Sequence, residues 1–214
     1  MKASMPWSNI GRAAARKKAD GMPISASGNT LFTPAGNFEQ HIRPFVEGAF
    51  RLNGKTRKAA AVMPYYTVSH GVDPSGKKVG NGFSKYIVTD LLRNRYGYNG
   101  VVCTDWGITH DYSSIEEADG KCWGVEALSI PQRHYEALKA GVDQFGGNND
   151  KDPIIAAYHM WIDEFGQESA DQRFEDSARS FSATSSTGPV REPVPRSGGI
   201  HRNRGQRPVH GRRL

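Results

Sequence analysis

Cysteine is nearly absent from this chain, which holds only Cys103 and Cys122. Two cysteines make no disulfide framework, so a stapled miniature scaffold is excluded. Cys103 sits inside a β-branched run and reads as a small buried hydrophobe rather than a reactive thiol. No run of about 18 apolar residues occurs, so no membrane-spanning helix and no membrane partner are expected. The N-terminus has no apolar signal-peptide core. The seven histidines are scattered and share no metal-ligand spacing with Cys or Asp. Gly146-Gly147-Asn148-Asn149-Asp150 lacks the spacing of a phosphate-binding loop. Its Asn side chains suit either hydroxyl binding or a turn-and-cap role. Neither a metal nor a cofactor is expected.

Hydrophobic residues make up 37% of the 214, a low share that reflects two polar ends. The formal net charge is +6, which taken whole resembles a nucleic-acid-binding signature. Its distribution argues otherwise. Residues 1–27 carry +4 and residues 181–214 carry +6, leaving an acidic middle of −4. Basic ends of this kind fit a flexible nucleic-acid-binding tail. They equally fit GC-rich DNA read out of frame, the reading favoured here, so no nucleic-acid partner is expected. The Ser-Gly-Pro-Arg composition of 181–214 cannot bury enough apolar surface to fold. Three segments are therefore expected: a poorly ordered 1–27, a folded part at 28–180, and a disordered tail at 181–214.

The middle has a clear rhythm. Gly97-Tyr98-Asn99-Gly100 turns into Val101-Val102-Cys103, a short apolar run that ends in Thr104-Asp105-Trp106-Gly107. The run suits a strand buried on both faces, and its end is the one place where such a strand tolerates a carboxylate. Asp105 there is either a cap for the following loop or a nucleophile beside an aromatic face. Ala61-Val62-Met63-Pro64-Tyr65-Tyr66 is a second apolar run ending in polar aromatics. Between the two, Tyr86, Ile87, Leu91 and Leu92 recur at helical spacing within Phe83 to Arg95. A helix is predicted near Ile130 to Ala140. A third short run, Ala140 to Phe145, follows it. Strands alternating with helices, each strand ending in polar residues, predict an α/β fold with a parallel sheet or barrel.

These residues resemble glycoside hydrolase family 3, the β-glucosidase-like enzymes. The matching pieces are Ala61 to Tyr66, Leu91-Leu92-Arg93 before Gly97 to Val102, Thr104-Asp105-Trp106-Gly107, and Ala137 to Asp143. The family's usual Ser-Asp-Trp appears here with Thr104 for the Ser, and Tyr98 stands where the family usually has Phe. The resemblance covers roughly residues 28 to 180. It implies the last three or so βα units of a (β/α)8 TIM-type barrel, and so a partial barrel. It implies retaining hydrolysis of terminal β-D-glucosides, with xylosides and N-acetylglucosaminides as alternative substrates. A carboxylate attacks the anomeric carbon, and a second carboxyl protonates the leaving oxygen, then activates water. Asp105 matches the family's nucleophile. Tyr66 matches a tyrosine lining the sugar pocket, and Trp106 adjoins it, although core packing accounts equally well for both aromatics.

Two family features are missing. The acid/base generally lies outside the barrel, and no segment here matches it; Glu116, Glu117 and Glu126 are present without an assignment. The sugar-binding Lys-His pair is also absent. Free choice of synonymous codons lets Ser8 to Ser25 read, in another frame, as Lys-His-Trp-Pro-Gly-Gly-Gly-Pro and onward, a good version of the missing loop. Gly188 to Gly199 likewise reads as Ala-Leu-Phe-Glu-Asn-Pro-Tyr-Leu-Asp-Pro-Glu in the third frame. The expectation is a truncated or frameshifted fragment with little activity alone. A non-catalytic remnant and a basic nucleic-acid-binding protein are the alternatives.

Overall fold

The computed structural model describes residues 8–9, 30–32, 37–54, 57–111 and 121–186. Glu116, Glu117 and nearly all of the two basic ends lie outside the described residues, so the expectations for them stand as stated.

Among the described residues, five short strands form two parallel sheets. The first contains β1 (Ser8–Asn9), β3 (Ala61–Met63) and β5 (Val101–Val102), in the order β1-β3-β5. The second pairs β2 (Thr30–Phe32) with β4 (Val68–His70). Beyond β5, Cys103 makes a parallel bridge to Gln144, so the third apolar run lies beside β5. The Cys103 N–H donates to the Val62 carbonyl, and the Thr104 N–H to that of Gln144. Val62, Val102 and Val142 have essentially no exposed surface, as expected of strands covered on both faces.

The expected α/β alternation is present. After β3, a 3-10 turn at Asn81–Phe83 leads into a π-wound helix, Tyr86–Arg95. That helix buries Ile87, Val88, Leu91 and Leu92 against the sheet. Helix α1 (Phe38–Arg43) precedes β3 and continues into a π-wound segment, Pro44–Ala49. Helix α2 (Ile130–Ala140) follows β5 and has both ends encoded locally. Ser129 and Gln132 form a reciprocal capping box, and Pro131 occupies the first turn, where its missing N–H is harmless. Gly141 stops the helix at φ +106°; a Cβ there would lie 2.6 Å from Thr89 Oγ1.

Two further helices close the described chain. Helix α3 (Asp152–Phe165) packs on α2, and α4 (Gln167–Ser186) folds back along α3. Tyr135, Leu138, Ala157, Met160, Trp161 and Phe174 form this second core. Helix α4 runs through Ser186, past the boundary expected at residue 180. Among the described residues the parallel strands form open sheets, not a closed barrel.

A buried ionic joint ties the last run to its neighbours. Asp143 Oδ2 accepts from Arg93 Nη2 at 2.5 Å and from the Val102 N–H at 2.9 Å. Its Oδ1 accepts from Ser177 Oγ at 3.0 Å and faces Arg173 Nη1 at 3.7 Å. Arg93 also donates to the Gly100 carbonyl, and Arg173 to those of Leu138 and Val142.

Candidate active site

Parallel pairing decides where the polar strand ends meet. Ala61 is level with Val101, and Val62 with Val102. Both segments run on in the same direction past that pair, and a side chain joins them beyond the ladder: Tyr66 Oη donates to the Trp106 carbonyl at 2.5 Å. Asp105, Tyr66 and Trp106 are thus brought together just past the C-terminal ends of β3 and β5.

Each of the three has a different environment. Asp105 is only 8% exposed, and its Oδ1 accepts from the Trp106 N–H at 2.8 Å. Tyr66 is buried, with its ring against Tyr65 and the Lys121 ammonium 5.1 Å from the ring centroid. Trp106 is 57% exposed, so it is not a core residue. An indole this open beside a buried carboxylate offers a flat apolar face to a ligand. Tyr66, by contrast, belongs to the main hydrophobic cluster while its hydroxyl holds the site together.

The Gly146-Gly147 turn packs directly on that indole. A Cβ on Gly146 would come within 2.5 Å of the Thr104 carbonyl and 2.9 Å of Trp106 Cε3. At Gly147, φ is +70° and a Cβ would lie 2.7 Å from Trp106 Cδ1. Both positions therefore exclude a side chain. Thr104 Oγ1 accepts from the Gly146 N–H at 2.8 Å, and the Gly107 N–H donates to the Gly146 carbonyl at 2.9 Å. The Thr104 hydroxyl makes the bond that fastens this loop.

Sequence reasoning missed the residue that secures the chain after Asp105. Arg133 on α2 is 4% exposed and donates to the carbonyls of Thr109, Val125 and Glu126 and to Asp111 Oδ1. The only signal was a lone arginine among apolar positions of a helix. His134 beside it is fully buried. Its Nδ1 lies 2.8 Å from the Ile130 carbonyl, and its Nε2 lies 2.7 Å from Asn148 Nδ2. Nδ1 donates to the Ile130 carbonyl, and with the Asn148 amide nitrogen facing it Nε2 accepts, as a neutral ring does. Burial pushes its pKa below the ordinary histidine value. Asn148, noted above as a turn or hydroxyl-binding residue, thus holds this ring.

Burial, with the Asp105 charge adding to it, pushes the Cys103 thiol up to about 11, so it is no nucleophile. Glu126 is exposed and accepts from the Gly124 N–H. No group of three or more His, Cys, Asp or Glu among the described residues is placed to hold a metal ion. No helix among them is long and apolar enough to cross a membrane. An apolar groove of about 480 Å³ lies elsewhere, between Val101, Leu138, Phe145, Ile154, Phe174 and Phe181.

With this geometry in hand, comparison with known proteins can be set beside it. The chain is similar in sequence to part of β-glucosidases, and its fold resembles part of a family 3 glycoside hydrolase structure. It is 38% identical to a periplasmic beta-glucosidase/beta-xylosidase from Dickeya chrysanthemi, matched over 56% of this chain and 20% of that protein. It is 39% identical to a probable beta-glucosidase C from Aspergillus oryzae, over 61% of this chain and 19% of the relative. The chain thus spans about a fifth of the length of these relatives. No protein-family model matches it. Among solved structures, a glycoside hydrolase family 3 beta-N-acetylglucosaminidase from Paenibacillus sp. str. FPU-7 superposes with a TM-score of 0.52 at 20% identity. That match covers 78% of this chain and 29% of the other. CbsA from Thermotoga neapolitana gives 0.53 at 18% identity, covering 74% and 31%. At such identities these two neighbours speak to the fold alone.

Proposed function

We propose that this chain is part of a retaining family 3 β-glucosidase and carries its nucleophile, Asp105. Residues 28–180 form the barrel part, and β3, β5 and the Gln144 run are neighbouring strands of one arc of a (β/α)8 barrel. The observation that carries this reading is the meeting of Asp105, Tyr66 and Trp106 at the C-terminal ends of parallel strands, joined by the bond from Tyr66 to the Trp106 backbone. In barrel enzymes that end is where chemistry collects. Asp105 attacks the anomeric carbon to form the glycosyl-enzyme. Tyr66 and Trp106 line the sugar site, with the open indole against the C–H face of the ring. The substrate is a β-linked glucoside, in keeping with the names of the relatives.

A retaining glycosidase needs two carboxyls roughly 5 Å apart. This chain supplies one of them, so hydrolysis of ordinary glycosides by the fragment is expected to be slight. The test avoids the missing acid. A 2-fluoro-glucoside with a dinitrophenolate leaving group departs without protonation and leaves a long-lived glycosyl ester. Peptide mass spectrometry should find the sugar on Asp105 in the native chain and none after Asp105→Asn. An unlabelled native chain, or labelling at another residue, overturns the assignment.

A further inference from the structure

Three buried polar side chains near the Tyr66 wall have no hydrogen-bond partner among the described residues. They are the Thr67 hydroxyl, both ends of the Asn81 amide and the Trp123 indole N–H. Thr67 and Asn81 are essentially unexposed, and Trp123 is 6% exposed. They lie on segments the backbone holds together. The Asn81 N–H donates to the Thr67 carbonyl at 3.1 Å, and the Gly80 N–H donates to the Trp123 carbonyl at 2.9 Å. The approach is close: a Cβ on Gly80 would sit 2.6 Å from the Tyr66 carbonyl. Three orphans on segments that the backbone joins differ from three scattered lapses. Buried polar groups are nearly always satisfied, and those left without a protein partner commonly share an ordered water.

We propose that Thr67, Asn81 and Trp123 enclose an internal hydration site, with at least one bound water joining the three segments behind the Tyr66 wall. Their chemistry is complementary to water and not to one another alone. The indole N–H and the amide NH2 only donate, the amide oxygen only accepts, and the hydroxyl does both. A water oxygen takes the first two, and its protons go to the Asn81 oxygen and the Thr67 hydroxyl. The site ties the Gly80–Phe83 turn and the Trp123 loop to the residue following Tyr66. It does not rest on the glycosidase reading.

The sign of a stability change separates a wet site from a dry one. If water is bound, Thr67→Val and Asn81→Leu each remove one of its partners, and each melting temperature should fall by about 2–4 °C or more. If the site is dry, the same changes delete unsatisfied polar atoms at nearly constant shape, and melting should stay level or rise. A second measurement needs only the unaltered chain. The Trp123 indole proton, assigned by its loss in Trp123→Phe, should show a nuclear Overhauser effect from long-lived water. No such effect, or a level or raised melting temperature in both variants, overturns the proposal.

Discussion

Asp143 offers the sharpest test of how the sheet is held. Its side chain is 6% exposed, and its two oxygens take Arg93, the Val102 N–H and Ser177, with Arg173 close by. Asp143→Ala strands two guanidinium groups, of which Arg93 is 23% and Arg173 15% exposed. Removing one partner of a buried ion pair costs about 3–5 kcal/mol. The partial exposure of Arg93 argues for the lower end, so about 3 kcal/mol is expected. For a chain of this length that is roughly a 6–12 °C fall in melting temperature. Asp143→Asn keeps the shape and one acceptor oxygen but removes the charge, and should fall in between. The assay is thermal unfolding followed by far-ultraviolet circular dichroism, with Arg93→Met and the double variant completing a cycle. The double variant should lose less than the sum of the single changes, because no uncompensated charge remains at that pair. An Asp143→Ala protein melting within 1–2 °C of the parent, on the scale of a surface change, would refute the reasoning.

Three other outcomes follow from the same geometry. His134 is buried neutral with its pKa below the ordinary 6.5; the unfolded chain therefore binds a proton first as pH falls. Stability should be full above about pH 6.5 and decline below it, and melting measured from pH 8 to 5 should show a shallower slope in His134→Gln. Gly147→Ala places a methyl against Trp106 at a strained φ; it should change the Trp106 contribution to fluorescence, obtained by difference from Trp106→Phe, while far-ultraviolet dichroism stays constant. Tyr98, 2% exposed, donates to the Ala59 carbonyl at 3.1 Å. Tyr98→Phe should cost about 1 kcal/mol in denaturant melts, and no loss would mean the hydroxyl is a passenger.

The sequence made some of this plain and hid the rest for physical reasons. β3 and β5 were legible because their signals, short apolar runs ending in polar residues, are local; α2 is bounded by equally local features, the Ser129-Gln132 box and Gly141. The grouping of Tyr66 with Asp105 and Trp106 came from the family resemblance, and the bond from Tyr66 to the Trp106 carbonyl joins them in the fold. Helices α3 and α4 went unassigned because neither shows a clean stripe. α3 mixes Ile154, Ile155, Ala156 and Ala157 on adjoining faces, and α4 is polar nearly all round. The Asp143 joint was invisible because its partners lie 50 and 34 residues away. The Arg133 anchor and the Thr67–Asn81–Trp123 group are equally non-local, and no periodicity announces either.

A phenol carries a single proton. By directing that proton to the backbone of Trp106, Tyr66 turns only lone pairs toward any other neighbour. Whatever hydroxyl meets this oxygen must arrive as a giver of hydrogen, so a fluorine or methoxy group in its place should be disfavoured there.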